Sequence, residues 1–274
     1  MQTYNIYDPN ILNNIPIPMY KYYSWDNKFN KRILTDNEIW LSSPNQFNDP
    51  FDSTAPFRYN EDEMTPANIF SKLLEMGRKL YPLISENELH SRCYKRQYSG
   101  AFENNQYWKD LYPEHKAIMN TFGIFCTTTK KDNLLMWAHY ANSHRGFCVG
   151  IDKFILYKTI RSTLTKVSYS NKLPVMSLNK VDTNASYLMK ILASKSEDWQ
   201  YEDEYRIIKN DAARTTYILP EEGIKEIILG QNMPELYKKN IVRLAKKRFP
   251  QANLFQSHMD LMEYKLNIIP ILKK

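Results

Sequence analysis

Cysteine is scarce in this chain of 274 residues. Its three thiols, Cys93, Cys126 and Cys148, are odd in number, widely separated and never in a CxxC pair. That excludes a disulfide framework and a zinc ribbon, and leaves buried free thiols as the reading. Glycine occurs only seven times and never as GxGxxG or GxxxxGK[ST], so neither a Rossmann nor a P-loop phosphate cradle is expected. His90, His115, His139, His144 and His258 form no HExxH or other paired ligand spacing, and no metal is expected. A serine nucleophile elbow is missing as well. No run approaches the roughly 20 uncharged apolar residues of a membrane helix. Met1 to Asp8 lacks the basic and apolar regions of a secretory leader; a soluble, cytoplasmic protein without a membrane partner is expected.

What is present is a hydrophobic fraction of 43%, enough for a sizeable core in one large domain. Aromatics reach 14%, with twenty tyrosines and five tryptophans, more than packing alone usually demands, and some are expected to line a site. The net charge of +7 and pI near 9.0 favour an anionic partner, either nucleic acid or a phosphate-bearing small molecule. Part of that charge lies in Lys238, Lys239, Arg243, Lys246, Lys247 and Arg248, interleaved with Ile241, Val242, Leu244 and Phe249. This spacing predicts an amphipathic surface helix over about 234–249 with a basic outer face, which serves either solubility or phosphate binding.

Along the chain, the aromatic run at 19–24 and residues 38–42 read as strands, the second followed by a stretch dense in turn formers, Ser43 to Asp52. Residues 61–120 turn to helical spacing and read as a helical insertion within a single domain spanning 1–274. A strand is expected at 121–129, then a helix over 133–142 capped by Asp132, and a strand at 146–152. A short strand at 167–170, a helix at 184–194, strands at 202–208 and 226–230, the basic helix and final strands at 261–271 complete the pass. Strands and helices do not alternate regularly, so the fold class is α+β, with a mixed, largely antiparallel sheet, flanking helices and the helical insertion.

Three constellations carry candidate chemistry. Asn48-Asp49-Pro50 with Asp52 packs short polar side chains directly after a strand, where Asx residues often just bond their own backbone. Trp137 and Tyr140 are three apart on one helical face, usually a core pattern, but His139 beside them with His144 and Arg145 at the helix end tilts the segment toward holding an anion or stacking a ring. Trp199, Glu202, Glu204 and Arg206 are the sharpest group: residues two apart on a strand share a face, which would set two carboxylates and a guanidinium together. Crowded carboxyls have their pKa values pushed apart unless Arg206 compensates, as suits acid–base work or stabilisation of a cation. A solvated face with a Glu–Arg pair is the plainer reading.

Tyr20-Lys-Tyr, Trp40-Leu-Ser-Ser-Pro, Phe47-Asn-Asp-Pro-Phe-Asp52, Met136-Trp-Ala-His-Tyr-Ala141, Arg145-Gly146 and Trp199 with Tyr201-Glu-Asp-Glu-Tyr-Arg206 resemble, in this order, the bacterial and phage family called domain of unknown function 2971. The resemblance spans 20 to about 230 and brings no activity with it. More distantly the chain is similar to ADP-ribosyltransferases, which build an NAD site on a split mixed sheet from an early basic residue, a middle segment and a late Glu-x-Glu. That resemblance implies Lys21 or Tyr22 in the first place, the Thr127 to Tyr140 region in the second, and Glu202-Asp-Glu204 in the third. It departs from the pattern in having Lys21 where an arginine or histidine is usual and no Ser-Thr-Ser. It implies NAD as substrate, with Glu204 as the main carboxylate, Glu202 its helper and His139 a further catalytic candidate. Tyr140 or Trp137 would stack the nicotinamide, and Lys21 or Arg145 would contact the pyrophosphate. The expectation is an NAD-using transferase or NAD-cleaving effector of a toxin or antiviral-defence kind. A nucleic-acid-binding module or nuclease component, and a non-catalytic regulatory protein, are the rival readings.

Overall fold

The structure, a computed structural model, describes residues 15–56, 58–100, 105–178 and 184–271. The reading of Met1 to Asp8 falls outside them, as do residues 101–104 within the expected insertion. Strand β1 (Met19–Tyr23) is followed by a single helical turn, α1 (Arg32–Thr35), and by β2 (Glu38–Leu41). Three helices come next, α2 (Pro66–Leu80), α3 (Glu86–Tyr98) and α4 (Asn105–Met119). Strand β3 (Gly123–Thr128), helix α5 (Leu134–Tyr140), strand β4 (Phe147–Ile151), helix α6 (Lys153–Ile160) and the short strands β5 (Thr163–Lys166) and β6 (Ser168–Tyr169) form the middle of the chain. Helix α7 (Asn184–Leu192), β7 (Ser194–Lys195), a 3-10 helix (Glu197–Glu202), β8 (Glu204–Lys209), β9 (Thr215–Ile218), β10 (Ile224–Leu229), α8 (Glu235–Arg248), β11 (Asn253–Met259) and β12 (Leu266–Pro270) complete it.

Eight strands make one sheet in the order β12-β11-β10-β4-β1-β3-β8-β5. Only β10 and β11 run parallel within it, joined through α8, and the other neighbours are antiparallel. The fold is therefore α+β with a mixed, largely antiparallel sheet. Two small two-stranded sheets, β2-β9 and β6-β7, accompany it, the first tied to β3 by an isolated bridge between Ser42 and Ile124.

Alternation along the strands gives the sheet two apolar faces, one covered by a single core and the other by two clusters. Met19, Tyr23, Phe125, Val149, Tyr205 and Ile207 belong to one apolar core with Ile241 and Ala245 of α8 and Phe249 at its C-terminal cap. Tyr20, Tyr22 and Cys148 pack on the opposite face with Met136 and Trp137 of α5, and Ile124 and Ile208 pack with Tyr187 and Ile191 of α7. The centre of the sheet is not continuous. β1 pairs with β4 through five residues but with β3 only where Tyr20 faces Thr128, so the two strands part after that point. Lys21 bridges the opening: its Nζ donates to the Cys126 carbonyl at 2.8 Å, an acceptor left without a ladder partner from β1.

Some elements differ from expectation. Helix α5 is capped by Asn133, whose side chain accepts from the Met136 N–H at 3.0 Å, rather than by Asp132. It ends in three successive left-handed residues, Asn142, Ser143 and His144. Gly146 lies at the next close approach, where an added Cβ would stand 2.1 Å from the Tyr23 carbonyl oxygen. The expected strand at 202–208 begins only at Glu204, because Glu202 closes the 3-10 helix and Asp203 turns the chain at φ 44°.

Candidate functional site

A cavity of about 350 Å³ opens where β1 and β3 part. β1 lends it Lys21 and Tyr22, the turn after β2 lends Asn48 and Asp52, and α5 lends His139 and Tyr140. The floor is Lys195, Glu202 and Glu204, beside Cys126 and Thr127 of β3. Of the residues singled out in the sequence, the cavity thus gathers Lys21, Tyr22, Asn48, His139, Tyr140, Glu202 and Glu204.

The rest lie elsewhere, each for a physical reason. Asp49 accepts from the Phe51 N–H at 2.9 Å, an Asx turn that bonds its own backbone. Trp137 is fully buried, edge-on to Tyr22 at 5.1 Å and stacked on His144, with its Nε1 donating to the Lys131 carbonyl; it has no face left for a ligand ring. Arg145 is exposed beyond the helix end and outside the lining. Arg206 has no solvent exposure. Its Nε donates to Glu204 at 2.8 Å, one terminal nitrogen to Asp52, Ser53 and the Leu192 carbonyl at 2.8–2.9 Å, and the other to Asp52 at 2.7 Å and Glu204 at 3.0 Å. It is a support beneath the site rather than a ligand contact. Trp199 is half-buried above Lys195, 4.7 Å from the ammonium to the ring centre.

Lys195 is the residue that sequence reasoning missed. Its ammonium stands 2.5 Å from Glu202, 3.4 Å from Glu204 and 3.6 Å from Asp52, so the cation at the centre of three carboxylates belongs to the chain. Nothing in a lone lysine after a helix announces this, since the three acids converge only in the fold. Among the described residues no grouping of His, Cys, Asp and Glu is arranged to hold a metal ion.

The two glutamates titrate in opposite senses. Burial works against ionisation of Glu204, but Arg206 and then Lys195 outweigh it and hold its carboxyl down at about 2. Burial raises Glu202 above the usual carboxylate value, opposed by Lys195 and reinforced by Glu204. Tyr140 donates to Glu202 at 2.6 Å, and Asn48 also hydrogen-bonds that phenol. Burial lowers Lys21, and the three acids overcome burial to raise Lys195. Environments that drive two neighbouring carboxyls apart assign one as a fixed anion and the other as a group able to carry a proton.

Fold and site together define an α+β protein with a charged cavity at a split in its central sheet. The family model described as "Protein of unknown function (DUF2971)" matches residues 136–207, and that stretch is similar to the family. It contains His139, Tyr140, Lys195, Glu202, Glu204 and Arg206, whereas Lys21, Asn48 and Asp52 lie outside it. Neither the comparison with curated proteins nor that with solved structures gives a match.

Proposed function

We propose that the cavity cleaves the N-glycosidic bond of NAD, as a transferase or glycohydrolase of the ADP-ribosyltransferase type. The observation that carries this reading is the meeting of Lys21, Tyr140 and the Glu202–Glu204 pair, from three distant segments, at one cavity in a split sheet. The bond from the anomeric carbon to the nicotinamide nitrogen breaks, and its electron pair leaves with the ring. Glu204, an anion across the working pH range, stabilises the oxocarbenium-like charge that develops. A water or an acceptor hydroxyl forms the new bond to that carbon and gives its proton to Glu202. Among the described residues the Lys21 ammonium has one hydrogen-bond acceptor, the Cys126 carbonyl, and its remaining N–H donors suit a substrate oxygen. Arg145 has no part in this reading.

Nicotinamide release from NAD by the purified chain tests it. Wild type releases nicotinamide, and Glu204→Gln, assayed at a temperature where it remains folded by circular dichroism, loses activity by about 100-fold or more, the scale of removing one electrostatic stabiliser. Equal rates in the two proteins overturn the reading.

A second reading, a nucleic-acid partner, is favoured by one observation. Lys239, Arg243 and Lys247 lie exposed at i, i+4 and i+8 on α8, a stripe of cations about 6 Å apart along the helix. Arg248, counted in the expected basic face, instead donates to the Leu34 carbonyl and Asn37 at 3.1 and 3.0 Å. Binding through the stripe would weaken steeply with salt, and salt-insensitive or absent binding removes this reading.

A further inference from the structure

The cavity is small for the substrate proposed. About 350 Å³ lies at the low end of ligand pockets, roughly 300–1,000 Å³, with room for one ring and its pentose. The other half of a dinucleotide must therefore rest outside the cavity, against whatever its mouth presents.

The mouth presents a cluster of aromatic rings. His139 of α5 lies 6.4 Å from Trp199 and 6.3 Å from Tyr201, and those two are 6.1 Å apart, centre to centre. His139 is exposed, Trp199 and Tyr201 are half-buried, and His139 itself lines the cavity. The cluster is held in place from below: the Asn133 side chain donates to the Tyr201 carbonyl at 2.9 Å, and Lys195 lies under Trp199. Ring surface left in part to water beside a polar cavity is a stacking surface for a planar base. Trp199 and Tyr201 are not lining residues themselves but adjoin two that are, His139 and Lys195, whereas the exposed Tyr94 and Tyr98 of α3 line a separate surface pocket.

We infer that Trp199 and Tyr201, with His139, form a platform that stacks the second base of a dinucleotide substrate. This makes the substrate a dinucleotide rather than a mononucleotide, and it rests on the reading of the cavity as an NAD-cleaving site.

The experiment compares NAD with nicotinamide mononucleotide, which lacks the second base, by kcat/KM for nicotinamide release. In wild type NAD is the better substrate. In Trp199→Ala the preference for NAD falls about tenfold, within the range for losing one stacked base, and Trp199→Phe restores most of it. Tyr201→Ala, which leaves the cover over Lys195 in place, lowers the preference in the same direction and guards against a folding defect in Trp199→Ala. An unchanged preference in both alanine variants overturns the platform, as does a wild type that prefers the mononucleotide. If wild type acts on neither substrate, the cavity reading itself fails and takes the platform with it, an outcome read from the unmutated protein alone.

Discussion

Arg206 has five N–H donors, and all of them are satisfied inside the protein by Asp52, Ser53, Glu204 and a main-chain carbonyl. A buried ion cluster of this kind adds little net stability when assembled, but losing one partner strands the others without water. Arg206→Met should therefore lower the unfolding free energy by about 3–5 kcal/mol, measured by urea denaturation. Lys239→Met on the exposed stripe should shift it by less than about 0.5 kcal/mol. The glutamates predict opposite dependences on pH. For Glu204, held at about 2 against an ordinary 4.5, the unfolded chain binds the proton more readily. Its stabilisation is complete above pH 4.5 and is lost as the pH falls from 4.5 toward 2. Glu202 is raised above 4.5, so the folded chain binds that proton more readily, and its contribution declines as the pH rises through the raised value. Glu202→Gln should abolish that decline, so that wild type loses stability relative to the variant as the pH rises from 4.5 through the raised value. Parallel stability curves for the two proteins would contradict the assignment.

At the scale of elements, α5 and the 3-10 helix ahead of β8 shape the mouth of the site, and Asn133 ties them together. It caps α5 and donates to the Tyr201 carbonyl. Asn133→Ala should cost about 1 kcal/mol for the cap, seen as a lower melting temperature, and should impair nicotinamide release more than a surface variant of equal stability. The strands that build the sheet centre were legible because they are dense in aromatic and branched residues: β1, β3, β4 and β10 lie within or close to the expected bounds. Edge strand β5, with Thr163, Thr165 and Lys166 on a half-exposed ladder, carries too little apolar patterning to be read. Helix α6, which follows an Asp152 cap bonding the Phe154 and Ile155 N–H groups, was likewise unread, although that cap was a usable signal. The Glu-x-Glu spacing suggested a strand because its period is two, yet Glu202 belongs to a helical turn. Ser196 followed by Glu197 and Asp198 was the sign, an N-cap with acids in the first turn. The two carboxylates still meet because left-handed Asp203 turns the chain between them, its own side chain held by Lys166 at 2.9 Å.

Across the whole molecule, the sheet sets the cavity and the basic helix on opposite faces: α8 packs on the core of Phe125, Val149 and Ile207, while Tyr22, Cys126 and Glu204 turn to the cavity. Among the described residues no helix is long and apolar enough to cross a membrane. The separation of the two faces predicts independence. Changing Lys239, Arg243 and Lys247 together to glutamate should leave nicotinamide release within about twofold while removing salt-dependent binding to a nucleic acid, and a coupled loss of both would show that one surface serves the other. The function proposed for the cavity depends on its driving the ionisation of two neighbouring carboxyls in opposite directions. Site-resolved carbon-13 titration of the Glu202 and Glu204 carboxyl groups measures this directly. The structure predicts one carboxyl still ionised well below pH 4 and the other taking up its proton above 4.5; two superimposed titrations near 4.5 would contradict it.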